Sequence, residues 1–597
     1  MLKVNMALAV LFSFLCFSPR ADVSLLAAPV ALIFSWLLFV SVYRPLLARG
    51  DISHLVAIRR VLQYEPFAFI STFVIQRSGD KGFPVAFDFL CATLWLVLLG
   101  ISIWLQFCIA DKRIAKISVE WDHWLKAHPR VKPVGVKRVV FEALEWVDAL
   151  LQAVFTIMLL NIFVFQLYEI PSESMVPTFL VKDRVAVFKT PAGPKMPLSE
   201  AGLPYLQEYQ RGDIVVFRNP HYASDRKAER KTFFSQFLYM CTLTILKTNT
   251  DENGELKADP LVKRVCALPG EQIYMLDGKL YARTEDDPVF RVVEEDTSWA
   301  AWNLNELDDK TKRKVQMFPL SDELYESALR VEEARRQLDL TEAASECQSL
   351  FDRFREIALA HSDINNIEEK RTQSEHTQSE RTQSGTDGEF FSQKELSVFE
   401  FLQGARAETL SLLTAPGGLS WLNGFLNRWH EENDLSSALM GGDPYSDSVF
   451  RLNVMAKLCF ARQAVRYAEL LGQGVPPESW SQDEILEQAQ SDAIELCFYV
   501  LEMDLRNLSV FPANTHEGTP TFIPEHCYFM MGDNRYNSLD MRHSYQSTLV
   551  PLSELDPVSL TYRTQISPQW VDRNRILGKA SLRFWPPSRI GFPAKDN

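Results

Sequence analysis

The feature that most constrains this chain is a set of uncharged apolar runs in its first 169 residues. Three of them hold about 20 residues each, and an α-helix of that length crosses the ~30 Å hydrocarbon core of a bilayer. A shorter run behind Lys3 is interpreted as a retained membrane segment rather than a cleavable signal. We therefore predict three to four transmembrane helices, at Met6–Phe17, Val23–Tyr43, Leu90–Ile109 and Ala149–Tyr168.

The basic residues between the last two long runs predict the orientation. Residues 111–138 carry eight Lys and Arg against three acids, and loops of that kind stay in the cytoplasm. Everything after Tyr168 is then expected outside the cytoplasm. The loop 44–81, with six basic residues, should also be external by alternation, which conflicts with the same rule. We give more weight to the later loop because it is richer in basic residues.

Beyond Tyr168 the hydrophobic pattern changes from continuous to alternating. Alternation over 184–189, 213–218 and 261–267 is typical of strands, and Asp277-Gly278 between two further alternating runs predicts a β-hairpin. From residue 294 onward long, charge-rich helical windows dominate, among them 323–359, 450–471 and 482–505. Three copies of a polar five-residue unit between Arg371 and Gly385 predict a disordered linker near 363–390.

These patterns predict a multi-pass α-helical membrane region followed by a mainly antiparallel β domain that a large, mostly helical insertion interrupts. The predicted boundaries are 1–169 for the membrane region, 170–293 and 521–597 for the β domain, and 294–520 for the insertion.

Composition excludes several classes of function. The formal net charge of −14 argues against a nucleic-acid binder, which needs a basic surface. Nine cysteines without a CxxC pair, and ten scattered histidines without an HExxH motif, predict neither a disulfide framework nor a metal site. No cofactor and no metal are expected.

Two short segments of the β part carry reactive groups. Residues 170–178 contain Ser172 and Ser174, although serine pairs are common on protein surfaces. Lys263 shares one face of a predicted strand with Leu261 and Val265. Such a lysine either extends its amine to water or is desolvated, and desolvation lowers the amine pKa from ~10.4 toward neutrality. A neutral amine can then take the proton of a serine hydroxyl without any histidine.

A third segment, the polar loop 531–542, contains enough hydrogen-bonding side chains to position a catalytic amine. Taken together, the three segments resemble the bacterial type I signal peptidases, the Ser-Lys leader peptidase family. The resemblance covers about residues 150–285 and 520–592, with matching motifs in family order at 171–178, 212–217, 263–270, 532–542 and 578–586. The departures are Glu173 and Ala267, where many relatives have glycine, Tyr536, where many have aspartate, and Met541, where many have serine.

The resemblance implies a role for each matching residue. Ser174 would be the nucleophile and Lys263 the general base. The hydroxyl of Ser172 and the backbone N–H of Ser174 would form an oxyanion hole, and Ser538 would orient the lysine. Met175 would shape the floor of the substrate pocket. The residues implied to hold the loop through ion pairs are Asp533, Arg535, Asp540 and Arg542.

The resemblance also implies an activity and a location. The activity is that of a membrane-bound serine endopeptidase that cleaves N-terminal signal peptides from exported preproteins after small residues. Its partners would be signal-peptide-bearing preproteins and the lipid bilayer, and its place the bacterial cytoplasmic membrane, with the catalytic domain on the extracytoplasmic side. Ser174 follows the last apolar run by six residues, which keeps it near the bilayer surface.

Three questions stay open at this point. The apolar segment 232–246 is too short to span, so it either lies in the membrane interface or forms a core element. The protease could instead serve a single dedicated partner. The chain could also be a non-catalytic membrane scaffold in which the helical insertion matters.

Overall fold

The computed structural model describes residues 1–16, 24–47, 54–80, 82–117, 119–127, 134–222, 225–242, 248, 257–372, 396–431 and 443–593. Its helices, in chain order, are α1 (Leu2–Cys16), α2 (Ser24–Leu47), α3 (His54–Arg77), α4 (Val85–Cys108), α5 (Asp111–Ile117), α6 (Val119–Ala127), α7 (Val136–Phe163), α8 (Arg226–Cys241), α9 (Glu294–Trp299), α10 (Asp309–Lys312), α11 (Asp322–Gln337), α12 (Leu340–Thr372), α13 (Val398–Gln403), α14 (Ala405–Thr414), α15 (Gly418–Glu431), α16 (Pro444–Gly472) and α17 (Glu484–Arg506).

The strands belong to the two β stretches on either side of the long helices. They are β1 (Phe165–Glu169), β2 (Arg184–Phe188), β3 (Ile214–Phe217), β4 (Leu261–Ala267), β5 (Glu271–Leu276), β6 (Lys279–Thr284), β7 (Arg291–Val292), β8 (Leu508–Phe511), β9 (Cys527–Met531), β10 (His543–Pro551), β11 (Thr561–Ile566), β12 (Val571–Asp572) and β13 (Ile576–Trp585).

The strands form three antiparallel sheets. The largest has seven strands in the order β1-β2-β13-β3-β4-β9-β12, so residues from both β stretches alternate within it. A second sheet has the order β7-β6-β5-β8, and β10 pairs with β11. The mainly antiparallel β domain expected from the sequence is therefore confirmed.

The hairpin signal at Asp277-Gly278 also gives the predicted turn. Both residues have positive φ, 52° and 77°, as a type I′ turn requires, and Leu276 pairs with Lys279 across it. A β carbon on Gly278 would meet the ring of Trp302, so this glycine serves both the turn and the packing above it.

Two described helices, α4 and α7, are long and apolar enough to cross a membrane, while α1 and the apolar part of α2 at Pro29–Ser41 are shorter than a full span. The number of crossings stays a prediction. The last expected span, Ala149–Tyr168, differs from the structure at its end. Helix α7 stops at Phe163, and after Val164 the five residues Phe165–Glu169 form β1, which pairs along its whole length with β2.

The described part of the chain between β7 and β8 is mainly helical, and its apolar core, which includes Phe425, Trp429 and Phe460, is shared with Leu552, Leu560 and Tyr562 of the second β stretch. Several of its helices begin at side-chain caps, for example where Asp443 and Asp483 accept backbone N–H bonds. The window 323–359 forms two helices rather than one, because Asp339 accepts the N–H groups of Thr341 and Glu342 and starts α12. The predicted linker 363–390 overlaps α12 up to Thr372, and its remainder lies outside the described residues.

Helix α8 links the β domain to the N-terminal helices. Arg226 donates to the carbonyl of Gly79 at 2.7 Å, and Arg230 donates to that of Ser78 at 2.6 Å. Nearby, Ser199 donates to Asp88 at 2.6 Å. Ser78 and Gly79, which follow α3, and Asp88 in the first turn of α4 therefore contact the β domain directly. Of the segment 232–246, for which the sequence left an interfacial position and a core element open, residues 232–241 form the end of α8, and residues 243–247 lie outside the described part.

Candidate active site

Lys263 occupies the interior of the large sheet. Strand β4 lies between β3 and β9, and Lys263 pairs opposite Val215 of β3. The lysine is 3% exposed. Burial lowers the pKa of its amine to about 8, although the carboxylate of Asp540 acts in the opposite direction. A substantial fraction of this amine is therefore neutral near physiological pH, as a general base requires.

The serine segment follows β1 and turns back into β2. Ser174 is partly exposed and Ser172 is exposed, and the two hydroxyl oxygens lie 3.4 Å apart, at the long limit of a hydrogen bond. Met175, which was expected at the floor of a substrate pocket, is 1% exposed and packs in an apolar cluster with Phe179 and Ile214. The cluster anchors the segment to the sheet, so Ser174 projects from a fixed base.

The loop after β9 packs directly on the serine segment. Asn534 donates its backbone N–H to the Ser174 carbonyl at 3.2 Å and its side-chain amide to the Glu173 carbonyl at 3.1 Å. A β carbon on Gly532 would collide with both the Ser174 carbonyl oxygen and the Ser538 side chain. Only glycine thus lets the loop approach this closely, and the approach brings Ser538 beside Ser174.

Ser538 is buried, and its hydroxyl has no hydrogen-bond partner among the described residues. A buried hydroxyl without a hydrogen-bond partner costs free energy, so this hydroxyl is available to bond a mobile or reacting group. Within the same described part, no hydrogen bond joins the Lys263 amine to the hydroxyl of Ser174 or Ser538. Ser174 and Ser538 thus both lie against Gly532, and Lys263 lies on strand β4, which pairs with β9 directly before this loop.

The resemblance implied that four residues of this loop form ion pairs. In the structure all four are buried and paired. Asp533 accepts two hydrogen bonds, at 2.7 and 2.6 Å, from Arg264, which is the residue after Lys263. Arg542 donates to Asp540 at 2.9 and 3.0 Å, and Asp540 accepts the N–H of Gly532 at 3.0 Å. Burial by itself would raise the pKa of Asp540, but the Arg542 guanidinium holds it well below the ordinary value.

Arg535 has a partner that sequence reasoning missed. Its guanidinium donates to Asp296 of α9 at 2.6 Å, and both side chains are buried. The two residues are 239 positions apart, so no local pattern could have paired them. Tyr536, one of the departures from the family pattern, packs edge-on against Trp302 and does not supply this carboxylate.

Among the described residues, no group of three His, Cys, Asp or Glu side chains is placed to hold a metal ion. The arrangement consists of a partly exposed serine hydroxyl, a buried amine of lowered pKa and a paired polar loop. These groups can support nucleophilic attack by serine with a lysine base. The fold and the site thus fit the class of serine endopeptidases.

Comparison with known proteins identifies the family within that class. The family model for signal peptidase, peptidase S26, matches residues 143–328 and 473–585, which is half of the chain. The chain belongs to the signal peptidase family. The matched stretches leave 329–472 outside, a shorter interval than the predicted insertion 294–520.

Curated relatives agree with this assignment. Signal peptidase I of Buchnera aphidicola subsp. Schizaphis graminum is 34% identical over 84 residues, 14% of this chain and 26% of the relative. Signal peptidase I of Haemophilus influenzae is 33% identical over 84 residues, 14% of this chain and 24% of the relative. Signal peptidase I P of Bacillus subtilis subsp. natto is 26% identical over 145 residues, 24% of this chain and 53% of the relative. The chain thus spans about a quarter to a half of these relatives.

Proposed function

We propose that this chain is a type I signal peptidase, a membrane-bound serine endopeptidase that removes N-terminal signal peptides from exported preproteins after small residues. The observation that carries the proposal is the buried Lys263 amine, with its pKa lowered to about 8, on a strand flanked by the loop that packs on Ser174. Signal peptidase relatives support the same activity.

In the proposed mechanism the neutral Lys263 amine takes the proton of the Ser174 hydroxyl while the serine oxygen bonds to the scissile carbonyl carbon. The resulting oxyanion accepts hydrogen bonds from the Ser172 hydroxyl and the Ser174 N–H. The lysine then returns its proton to the leaving amine as the C–N bond breaks, and water hydrolyses the acyl-enzyme by the same base. Ser538 supplies the hydroxyl that orients the amine.

The proposed location is a bacterial cytoplasmic membrane, with the β domain outside the cytoplasm. The contacts of Arg226 and Arg230 with residues 78–79 support a position of the β domain and the α3–α4 connection on the same side of the membrane. If α4 and α7 both cross, the basic residues between them lie on the opposite side, which the positive-inside rule assigns to the cytoplasm. The loop before α4, for which the same rule gave a conflicting answer, then stays with the β domain.

The substrate follows from this placement. A secretory signal carries a 7–15 residue apolar segment followed by small residues at the cleavage site. Ser174 comes eleven residues after the end of α7, of which five form the extended strand β1. The nucleophile is therefore tethered close to the bilayer, where the end of such a signal emerges.

The test is cleavage of a model preprotein by the wild-type chain and by Ser174→Ala and Lys263→Met. We expect both variants to lose cleavage. Lys189→Met is the matched control, because burial also lowers the pKa of Lys189 to about 8 but its amine bonds to the Asn161 carbonyl and the Gln166 side chain instead. Retained turnover in Ser174→Ala or Lys263→Met contradicts the assigned pair.

The two other functions left open by the sequence give different results in the same assay. A protease for one dedicated partner would leave unrelated exported preproteins uncut. A non-catalytic scaffold would leave all of them uncut, even in the wild type. Cleavage of several unrelated preproteins excludes both.

A further inference from the structure

We propose that residues 294–317, named the bracket here, hold the serine segment and the loop 532–542 in register, and that Glu173 and Asp296 are the positioning residues of this device. The inference rests on the proposed function, because it concerns the geometry of the same centre. Neither the oxyanion role nor the lysine role accounts for these two buried carboxylates.

The first attachment is helix α9, which begins the bracket. Asp296 accepts a hydrogen bond from Arg535 at 2.6 Å, and neither side chain is accessible to solvent beyond 1%. Trp299 of the same helix lies over the guanidinium of Arg264, 4.7 Å from the ring centre. One helix therefore contacts Arg535 of the loop and Arg264, which pairs with Asp533 of the loop.

The second attachment uses the backbone alone. The N–H of Ala301 donates to the Asp533 carbonyl at 2.8 Å, and the N–H of Arg535 donates to the Ala301 carbonyl at 3.1 Å. These two bonds form a short parallel bridge between Ala301 and Asn534. These backbone bonds fix the register of the bracket against the loop at this point.

The third attachment joins the far end of the bracket to the serine segment. The buried carboxylate of Glu173 accepts the backbone N–H groups of Gln316 and Met317, the latter at 3.1 Å. Apolar side chains from the bracket and from the serine segment fill the space between. They are Val176, Leu180, Leu304 and Val315.

Asn534 connects the loop back to the serine segment. It donates to the carbonyls of Ser174 and Glu173, so the loop held by the bracket is bonded back to the segment that carries the nucleophile. Serine segment, bracket and loop therefore cannot shift independently. Nucleophilic attack depends on placement within a fraction of an ångström, and a misplacement of ~1 Å can cost about 100-fold in rate. Loosening either carboxylate should therefore affect the reaction itself.

The experiment compares Glu173→Ala and Glu173→Gln in the full chain in detergent. Competent serines are counted by the acyl burst with an activated ester, p-nitrophenyl acetate, and turnover of a model preprotein is normalised to that count. For Glu173→Ala we expect kcat about 10- to 100-fold lower, with KM within about threefold of wild type. Glu173→Gln keeps an acceptor oxygen for one N–H and should recover most of kcat.

A pH profile separates positioning from mere loss of stability. Burial is the main reason for the low pKa of Lys263, so a loosened loop that admits water raises that pKa. The acid limb of kcat/KM in Glu173→Ala should move to higher pH by about half a unit or more. Asp296→Asn, which unpairs Arg535, should change kcat in the same direction. The matched control is Glu495→Ala, which should match wild type. It removes a carboxylate that pairs with Arg330 and is distant in sequence from Glu173.

The outcomes are distinct. Wild-type kcat and an unmoved acid limb in Glu173→Ala after normalisation overturn the bracket, as does a loss confined to the number of competent serines. A wild type that shows the acyl burst but cuts no preprotein contradicts the proposed function alone, since burst rates still compare the variants. A wild type with neither burst nor cleavage refutes both.

Discussion

The guanidinium of Arg264 and the carboxylate of Asp533 form a two-pronged ion pair, at 2.7 and 2.6 Å, with neither side chain more than 3% exposed. The pair joins the residue after Lys263 to the residue after Gly532. It therefore ties the strand of the proposed base to the loop that packs on the proposed nucleophile.

Removal of one partner leaves a buried charge without compensation. We expect Asp533→Asn to reduce the free energy of unfolding by about 3 to 5 kcal/mol, measured by urea unfolding in detergent. Asp287→Asn is the control, because its partner Arg291 is largely exposed and exposed pairs contribute little. Equal stability of the two variants contradicts the structural role of the Arg264–Asp533 pair.

The pH dependence of cleavage should report the lysine. Only the neutral amine accepts a proton, so kcat/KM should rise with pH and reach half of its plateau near the Lys263 pKa of about 8. His543, which faces Asp540 nearby, does not complicate the limb, because burial lowers its pKa to about 4. A pH profile measured with a model preprotein checks this. A flat profile between pH 6 and 9 would assign the base to another group.

Burial of the same lysine should lower the free energy of unfolding. Its pKa falls from 10.5 in the unfolded chain to about 8 in the fold, so the unfolded state binds more protons between these values and wild-type stability rises with pH there. Below pH 8 the full cost applies, at most about 3 to 4 kcal/mol for a shift of about 2.5 pKa units at 1.36 kcal/mol each. Lys263→Met should therefore unfold at a higher temperature than wild type at pH 7, with the difference shrinking toward pH 10.5. Thermal unfolding at both pH values tests this, and a Lys263→Met variant less stable at pH 7 contradicts it.

Gly532 should tolerate no side chain. An alanine there places its methyl group against the Ser538 hydroxyl and the Ser174 carbonyl, so one of them must move. We expect Gly532→Ala to lose at least about 100-fold in kcat of preprotein cleavage. Gly591→Ala is the control, since a β carbon there meets nothing within 4 Å among the described residues. Full activity in Gly532→Ala would show that the loop does not need its close approach.

The proposed topology predicts which residues a membrane-impermeant thiol reagent reaches. A cysteine introduced at Lys116, between α4 and α7, should be labelled only after intact cells are opened. One introduced at Asp80, beside Arg230 of the β domain, should be labelled from outside. Labelling of both positions from the same side contradicts two crossings by α4 and α7.

Local signals in the sequence predicted much of the β domain and of the candidate site. The Asp277-Gly278 turn, strand β4 with Lys263 and the polar loop after β9 depend on neighbouring residues, so short-range propensity and motif spacing predict them. The roles of Ser174 and Lys263 came from those motifs and remain predictions. The span ending at Tyr168 was misjudged because apolar residues alone do not distinguish a membrane helix from an edge strand.

By itself the sequence thus determined which chemical groups exist and which strands and turns carry them, since those depend on residues close along the chain. Only the tertiary structure decided that Asp296 would pair with Arg535, that Glu173 would hold Gln316 and Met317, and that Ser538 would lie unpartnered beside Ser174. The physical reason is that a buried ion or hydroxyl takes the partner that folding brings within reach, and that partner can lie hundreds of residues away.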